Sequence, residues 1–386
     1  MKKLKHVPLT PSVLSWAIAE SGLTIDEIAT RMNLDVGTLA RWQREERQPT
    51  TLTELKRLSQ VLKRQLATFF LPEPPTIIHP QVEFRRPPDS DRTRPNAKEL
   101  RYLREASRLQ RALSWIQREL SVEQVDLPKI SNSANPDRAA DQLRASLKLS
   151  VDEQLSWGDP AKALQGWRNA LEAYGIHVFL FPMGADSCRG FSLWDDYAPA
   201  IAVNTHWKNE ARIFTIFHEL GHLVTRSNSF CVSPGRQFLI NDGDSHERWC
   251  EKFASAVLLP WLDVRRVLQQ KLGWSDGAVI AELNDLRVVA RLFKVSLQAA
   301  ALRLIESGVA TWSLYQSIPE WADNKPKGGR GKGRVRKEIR ESEYGQRTTK
   351  VFRNALNEEL MTRRDVLSYL EVTDSDLYEI QKISTG

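Results

Sequence analysis

The chain has 386 residues, of which 41% are hydrophobic and 27% charged, a composition typical of globular proteins with room for two or three domains. Its apolar runs are shorter than the roughly 18 residues of a membrane helix, and no signal-peptide core follows the charged amino terminus, so we expect a cytoplasmic protein without a membrane partner. Three cysteines argue against a disulfide framework. A net charge of +7 allows nucleic acid or an acidic protein as partner.

Residues 1–75 are predicted to form a series of short amphipathic helices. In TIDEIATRM, Thr24 and Glu27 have the spacing of a capping box, and VGTLARWQREE follows as another helix. Leucines at helical spacing in TTLTELKRLSQVLKRQLATFF indicate a further amphipathic segment. The proline-rich LPEPPTIIHP then begins a region, residues 76–135, that we interpret as a linker and one long helix.

The pattern changes after residue 161. A helical segment gives way to three β-rich runs, IHVFLFPM, CRGFSLW and PAIAVN, and helices then resume. This order predicts an α+β domain over residues 136–320, with a small sheet and helices on one side. A basic, Gly-rich linker is predicted at 321–345, and a helical segment without a chemical motif at 346–386.

The stretch ARIFTIFHELGHLVTR places two histidines and a glutamate in an otherwise apolar helix. His218 and His222 are four residues apart, so they share one helix face and can bind one metal ion together. Glu219 lies beside that face, where a carboxylate can accept a proton from water. This HExxH pattern is the signature of zinc peptidases, and a chance match with two core histidines is the alternative.

A catalytic zinc site needs a third protein ligand on another element. The segment HERWCEKFASAVLLP offers Glu247 for the metal, and Glu251, one helical turn later, can hold a ligand histidine in its correct tautomer. His246 is the rival ligand on a different side of the same predicted helix. A solvated acidic face is the alternative interpretation of this segment.

Together these motifs resemble the ImmA/IrrE family of zinc metallopeptidases. The family's HELGH helix corresponds to FHELGHLV, and its downstream E-x-x-A-[ND]-x-F-A segment to ERWCEKFA, with Cys250 in place of alanine and Glu251 in place of Asn or Asp. RGFSLWDDYAPAIAVN is similar to its strand pair. The resemblance covers about residues 160 to 320 and implies a zincin-like domain with one Zn²⁺ per chain, bound by His218, His222 and Glu247.

Three further hypotheses concern this site. Tyr197, His206 and Arg212 are candidates for stabilising the oxyanion, each with a structural role as the alternative. The strand edge near PAIAVN is expected to hold the substrate as an added strand. Cys231 can fold back as a latency ligand, or pack as a small hydrophobic residue.

The amino-terminal helices resemble a phage-repressor-type (XRE) helix-turn-helix domain. Thr38, Arg41 and Arg44 on its second helix are the candidate contacts to duplex DNA. Ile25 replaces a common phosphate-contacting glutamine, and Glu45 a common glycine, so a protein-docking domain that has lost its DNA contacts is the alternative.

These observations predict a zinc-dependent endopeptidase with Glu219 as its base. The resemblance implies that its substrate is a regulatory protein, a repressor-type DNA-binding protein, in stress-response or mobile-element control. The alternative is a DNA-binding transcriptional regulator whose metallopeptidase-like domain is a sensor that cleaves nothing. An intact Glu219 favours the enzyme, because a non-catalytic metal site has no need of that base.

Overall fold

The protein is described by a computed structural model that covers residues 9–44, 51–62, 64–75, 83–85, 95–226, 229–231, 245–319 and 336–376, with the backbone alone at 83–85 and 229–231. The chain divides into two compact units. Unit 1 comprises Met1–Pro80 with Pro88–Glu105, and unit 2 comprises Gln81–Pro87 with Ala106–Gly386. Within the described ranges, no helix has the length and apolar character needed to cross a membrane.

Unit 1 is built from short helices around one apolar core. Its helices are α1 (Pro11–Ser21), α2 (Ile25–Met32), α3 (Val36–Gln43), α4 (Leu52–Val61), a short 3-10 helix (Leu66–Phe70) and the first turns of α5 (Ala97–Glu119). Trp42, Leu55 and Phe69 are buried at its centre. The series of helices expected from the sequence is therefore present, although the last predicted segment is broken after α4.

A three-residue turn joins α2 to α3. The predicted capping box begins α2, since the Glu27 backbone N–H donates to Thr24 Oγ1 at 3.2 Å and the Thr24 N–H donates to Glu27 Oε2 at 2.9 Å. Asn33 ends α2 in the left-handed region, with φ of 55°. Asp35 then caps α3 by accepting from the Thr38 N–H at 3.0 Å.

Unit 2 contains a mixed sheet. Its described strands are β1 (Glu83–Arg85), β2 (His177–Phe181), β3 (Gly190–Leu193), β4 (Ala200–Asn204) and β5 (Ser229–Cys231), in the order β1-β5-β3-β4-β2. The three β-rich runs of the sequence thus form β2, β3 and β4, as predicted. β4 pairs in parallel with β2 and antiparallel with β3.

This strand order removes the substrate edge that the sequence suggested. β4, formed by most of PAIAVN, has a hydrogen-bonded neighbour on each side, so its backbone cannot accept an added strand. The expectation of an open edge at β4 is wrong, because the earlier strand β2 occupies the position beside it.

The helices of unit 2 are α6 (Pro136–Leu147), α7 (Val151–Ser156), α8 (Pro160–Tyr174), α9 (Asn209–Val224), α10 (Ser245–Leu258), α11 (Trp261–Leu272), α12 (Leu283–Phe293), α13 (Leu297–Glu306), α14 (Trp312–Gln316), α15 (Arg336–Tyr344), α16 (Gln346–Asn357) and α17 (Arg363–Leu370). Among them, α8, α9 and α15 contact this sheet. The segment 283–308 forms two helices rather than one, because Lys294 adopts the left-handed region between them, with φ of 58°.

The carboxyl-terminal helices are anchored on α8 and β2. Arg168 and Glu172 form a buried ion pair on α8, with the Arg168 Nε 2.9 Å from Glu172 Oε1. Arg168 Nη1 donates to the Ser342 backbone oxygen at 2.7 Å, and the Arg347 N–H donates to Glu172 Oε2 at 3.0 Å. The end of the predicted basic linker therefore forms α15, whereas residues 321–335 lie outside the described part of the chain.

Candidate metal centre

The helix that carries the two histidines is the central helix of unit 2. Trp167 of α8 meets Phe217 of α9 edge to face, with ring centroids 4.6 Å apart. Every residue of α9 from Thr215 to Val224 is buried. His218 and His222 are therefore held at fixed positions by a packed helix and lie only 7% and 1% exposed.

A glycine allows α10 to approach this helix closely. A Cβ placed on Gly221 would lie 3.1 Å from both the Cβ and the Sγ of Cys250, tighter than ordinary packing. Gly221 lies between the two histidines in sequence, and Cys250 lies one turn beyond Glu247 on α10. The crossing of the two helices thus brings Glu247 to the histidines.

His218, His222 and Glu247 form a triangle of ligand atoms. His218 Nε2 lies 3.1 Å from Glu247 Oε2, His222 Nε2 lies 3.4 Å from Glu247 Oε1, and the two Nε2 atoms are 3.3 Å apart. Ligands bonded to a tetrahedral zinc at about 2.0–2.1 Å are separated by about 3.3 Å. The spacing and the N/O donor set therefore fit a zinc ion.

The three side chains of the triangle shift one another's pKa values. Burial raises the pKa of Glu247, but hydrogen bonds from His218 and His222 outweigh burial and hold this pKa far below its usual range. Burial also lowers the pKa of His218, yet Glu247 raises it above the ordinary value overall. Burial lowers the pKa of His222 to about 4. A metal ion bound here would require neutral imidazoles and an ionised carboxylate.

Glu219 is completely buried between α9 and β3. A Cβ placed on Gly190 of β3 would lie 3.4 Å from Glu219 Cγ and 2.8 Å from the Ala202 backbone oxygen. Glycine at the start of β3 therefore leaves room for the Ala202 carbonyl and for Thr215 Cγ2, which a Cβ would approach to 2.6 Å, and Glu219 Cγ lies beside them. The charge of Glu219 adds to the rise in the pKa of His218 that Glu247 causes.

Glu251 lies on the next turn of α10. Burial raises the pKa of its carboxyl group, the charge of His218 opposes that shift, and the carboxylates of Glu247 and Glu306 add to it. Two members of the triangle, His218 and Glu247, therefore act on the charge of this side chain. Its expected role in orienting a ligand histidine stays a prediction.

His246, the rival ligand, faces a different set of neighbours. Its Nδ1 is 3.2 Å from Asn132 Nδ2, and its Nε2 is 3.2 Å from Thr225 Oγ1. Its ring centroid lies 5.2 Å from that of His222. One ligand atom from each of His222, His246 and Cys250 can be chosen so that all three lie within 4.8 Å of one another. His222 therefore belongs to two groups of metal-ligating side chains.

The three candidates for oxyanion stabilisation make local contacts. Arg212 donates to the backbone oxygens of Trp207 and Thr205 and to Asn209 Oδ1, and so fixes the connection between β4 and α9. His206 is exposed against the Trp207 ring. The guanidinium carbon of Arg118 lies over the Tyr197 ring, 4.8 Å from the ring centroid. Their expected role in stabilising the oxyanion stays a prediction, with a structural role as the alternative.

The predicted latency ligand is described only by its backbone. Cys231 ends β5 opposite Gly190 of β3, and its side chain lies outside the described part of the structure. Its expected role in latency stays a prediction.

The candidate DNA contacts of unit 1 lie on α3 and at its end. Thr38 is only 9% exposed, and its Oγ1 accepts a hydrogen bond from Arg41 Nη2 at 3.0 Å. Arg41 also lies 3.8 Å from Asp35, and Arg44 is exposed at the end of the helix. Glu45 lies outside the described residues. The structure thus joins two of the three candidates to each other.

Sequence reasoning missed the parts of the site that depend on helix crossing. Gly221 and Thr225 were assigned no role, and Cys250 was noted only as a departure from the family pattern. The four-residue spacing of His246 and Cys250 was a usable signal, because it places them on one face of a helix.

Comparisons with known proteins bear on this region. Residues 171–305, about a third of the chain, match the family Peptidase M78, described as the IrrE N-terminal-like domain. This range contains α9 and α10 and indicates a metallopeptidase-like domain. No curated protein gives a significant match.

Among solved structures, five chains match. One is a Mycobacterium tuberculosis transcriptional regulator, at 17% identity, with 51% of each chain covered and a TM-score of 0.29. The chain therefore spans about half the length of that regulator.

Proposed function

We propose that this chain is a zinc-dependent endopeptidase that acts on a regulatory protein. The observation that carries the proposal is the triangle of His218, His222 and Glu247, whose 3.1–3.4 Å edges match the spacing of ligands around zinc. The family match over residues 171–305 supports it.

The ligands of this site leave its fourth position for the reaction. Three protein ligands and an open position are typical of catalytic zinc sites, whereas structural sites use four. A bound zinc ion would supply Lewis acidity toward water and the scissile carbonyl. His218 and His222 would hold the ion through their Nε2 atoms, which lie 3.3 Å apart, and the packed helix fixes both rings.

Glu219 is the proposed base of this reaction. Its carboxylate takes a proton from the attacking water and returns it to the leaving amine. The complete burial of this side chain and its position next to His218 in the sequence of α9 support this role. A carboxylate at that place has no use in a site that only binds metal.

The substrate class rests on the family resemblance. It is a repressor-type DNA-binding protein in stress-response or mobile-element control. An endopeptidase that inactivates such a protein would release the genes that the protein represses.

Co-expression with repressor-like proteins encoded nearby, followed by mass spectrometry, tests the proposal. We expect fragments with the wild-type chain and none with Glu219→Gln, because an amide cannot accept the proton. Glu210→Gln, an acidic residue in the first turn of the same helix, is the matched control and should cleave normally. Equal cleavage by wild type and Glu219→Gln would remove Glu219 from the mechanism.

A second candidate function is a DNA-binding regulator whose metallopeptidase-like domain is a sensor. The turn between α2 and α3 favours it, because two short helices joined in this way are typical of helix-turn-helix domains. Removal of the metal would then change DNA affinity, and no fragments would appear with any repressor. Cleavage by wild type but not Glu219→Gln would exclude this reading.

A further inference from the structure

A second group of ligands lies beside the triangle and uses one of its members. His222 of α9, His246 of α10 and Cys250 of α10 offer ligand atoms within 4.8 Å of one another. His246 and Cys250 are separated by one helical turn, so both side chains project from one face of α10. Gly221 allows this face to lie against α9, with the cysteine sulfur at the crossing.

The two groups differ in chemistry. The triangle has two imidazoles and a carboxylate, whereas the second group exchanges the carboxylate for a thiolate. Thiolate ligands favour soft ions such as Cu(I) and Cd²⁺, and also bind Zn²⁺ strongly. We propose that His222, His246 and Cys250 form a second metal position for thiophilic ions, which competes with the triangle for His222.

The geometry makes the triangle the resting position. Its atoms already have the spacing of bonded ligands. Nitrogen and sulfur ligands around one ion are separated by about 3.5 Å, so the second group must close by at most about 1.3 Å at its widest pair. His246 must also exchange its hydrogen bond with Asn132 or Thr225 for the metal. A hard metal ion would not favour this rearrangement, because it prefers oxygen ligands. A soft ion favours it through its affinity for the Cys250 thiolate.

Occupation of the second position has a consequence for the proposed peptidase. His222 would be withdrawn from the triangle, which would be left with His218 and Glu247 only. Two protein ligands do not hold a catalytic zinc ion. Thiophilic ions would therefore switch the site off. This consequence rests on the proposed function, whereas metal binding itself does not.

Cadmium binding to the full chain tests the proposal without any substrate. Metal-free protein titrated with Cd²⁺ should develop ultraviolet thiolate-to-cadmium absorption with one equivalent per chain. Cys250→Ala should abolish this absorption, and His246→Gln should weaken Cd²⁺ binding by on the order of tenfold or more. Cys188→Ala, at a buried cysteine in the loop between β2 and β3, is the matched control and should keep it.

The same titration separates Cys250 from the other cysteines. Absorption that survives Cys250→Ala would overturn the assignment. Its loss in Cys231→Ala would then show that Cys231 supplies the thiolate. Where Cys250→Ala does not fold by circular dichroism, Cys250→Ser keeps the size of the side chain and removes the soft ligand. The prediction for that variant is the same.

Competition with zinc tests the sharing of His222. Saturating Zn²⁺ should shift the Cd²⁺ titration of the wild type to higher concentrations. Glu247→Gln should reduce this shift, because it impairs the triangle and leaves only direct competition by zinc at the second position. One zinc and one cadmium bound together without a shift would contradict a shared ligand. A chain that binds both ions as predicted but cleaves nothing would refute the peptidase and leave this inference intact.

Discussion

Gly221 of α9 lies directly against Cys250 of α10, at the place where the two helices that carry the candidate ligands cross. A Cβ on the glycine would come within 3.2 Å of the Cα, Cβ and Sγ of the cysteine. The position of Glu247, one turn before Cys250, depends on this approach. Helix packing and metal geometry are therefore linked through a residue that binds nothing itself.

The first prediction follows from this contact. Gly221→Val should push α10 away from α9, weaken zinc binding at least about tenfold and destabilise the protein by about 1–3 kcal/mol, as overpacking of a core does. Zinc titration and urea denaturation measure the two effects. Gly158→Val is the control, because a Cβ there meets only the Lys162 side chain, at 3.6 Å or more. Unchanged zinc affinity in a folded Gly221→Val chain would show that the crossing does not set the site.

A buried histidine predicts a pH dependence of stability. His177 is fully buried in β2, and its Nδ1 is 2.9 Å from Thr348 Oγ1 of α16. Burial, reinforced by the charge of Arg347, lowers its pKa well below the ordinary 6.5. The folded state therefore binds the proton less readily than the unfolded state. Its contribution to stability is complete above about pH 6.5 and is lost as the pH falls below that value.

This loss amounts to about 1.4 kcal/mol per pH unit for one proton. Urea denaturation at several pH values gives the slope of the free energy of unfolding against pH. Between about pH 6 and 5, His177→Phe should lower this slope by that amount, while His206→Phe, at an exposed position, should leave it unchanged. Carboxylates titrate in all three proteins, so the difference between the slopes is the quantity of interest. Identical slopes in wild type and His177→Phe would refute the assignment.

The amino-terminal helices predict weak DNA binding. Thr38 is buried and bonded to Arg41, which leaves few side chains on α3 for reading base edges. We expect binding of the full chain to duplex DNA to depend mainly on phosphate contacts and to fall steeply with salt. Arg44→Gln should reduce the salt slope by about 1, as expected for one lost phosphate contact.

Fluorescence anisotropy at several salt concentrations measures that binding, with Arg57→Gln on α4 as a charge-matched control. Tight binding that is insensitive to salt and selective for one sequence would contradict the prediction.

Local sequence patterns were sufficient to predict the parts of the site that lie on single helices. The spacing of His218 and His222 fixes their common face, and the apolar residues around them predict a buried helix. The position of Glu247 was also predictable once a third ligand was required, because its helix has a long apolar face that must pack on the core.

Relations between distant segments were not predictable in this way. Periodicity locates β4 but gives no strand order, so the sequence could not show that β2 covers its edge. The two three-residue strands β1 and β5 are too short for a periodic signal. The closeness of Cys250 to His222 arises from the crossing at Gly221, and thus from packing rather than from spacing along the chain.

The zinc content of folded wild-type and His222→Ala chains tests the central claim most directly. Elemental analysis of the wild type should give about one zinc per chain, since three protein ligands form one site. His222→Ala should retain almost none, because it removes one of the three ligands of the triangle, while His206→Ala should match the wild type. A His222→Ala chain that stays folded and keeps a full equivalent of zinc would contradict the account.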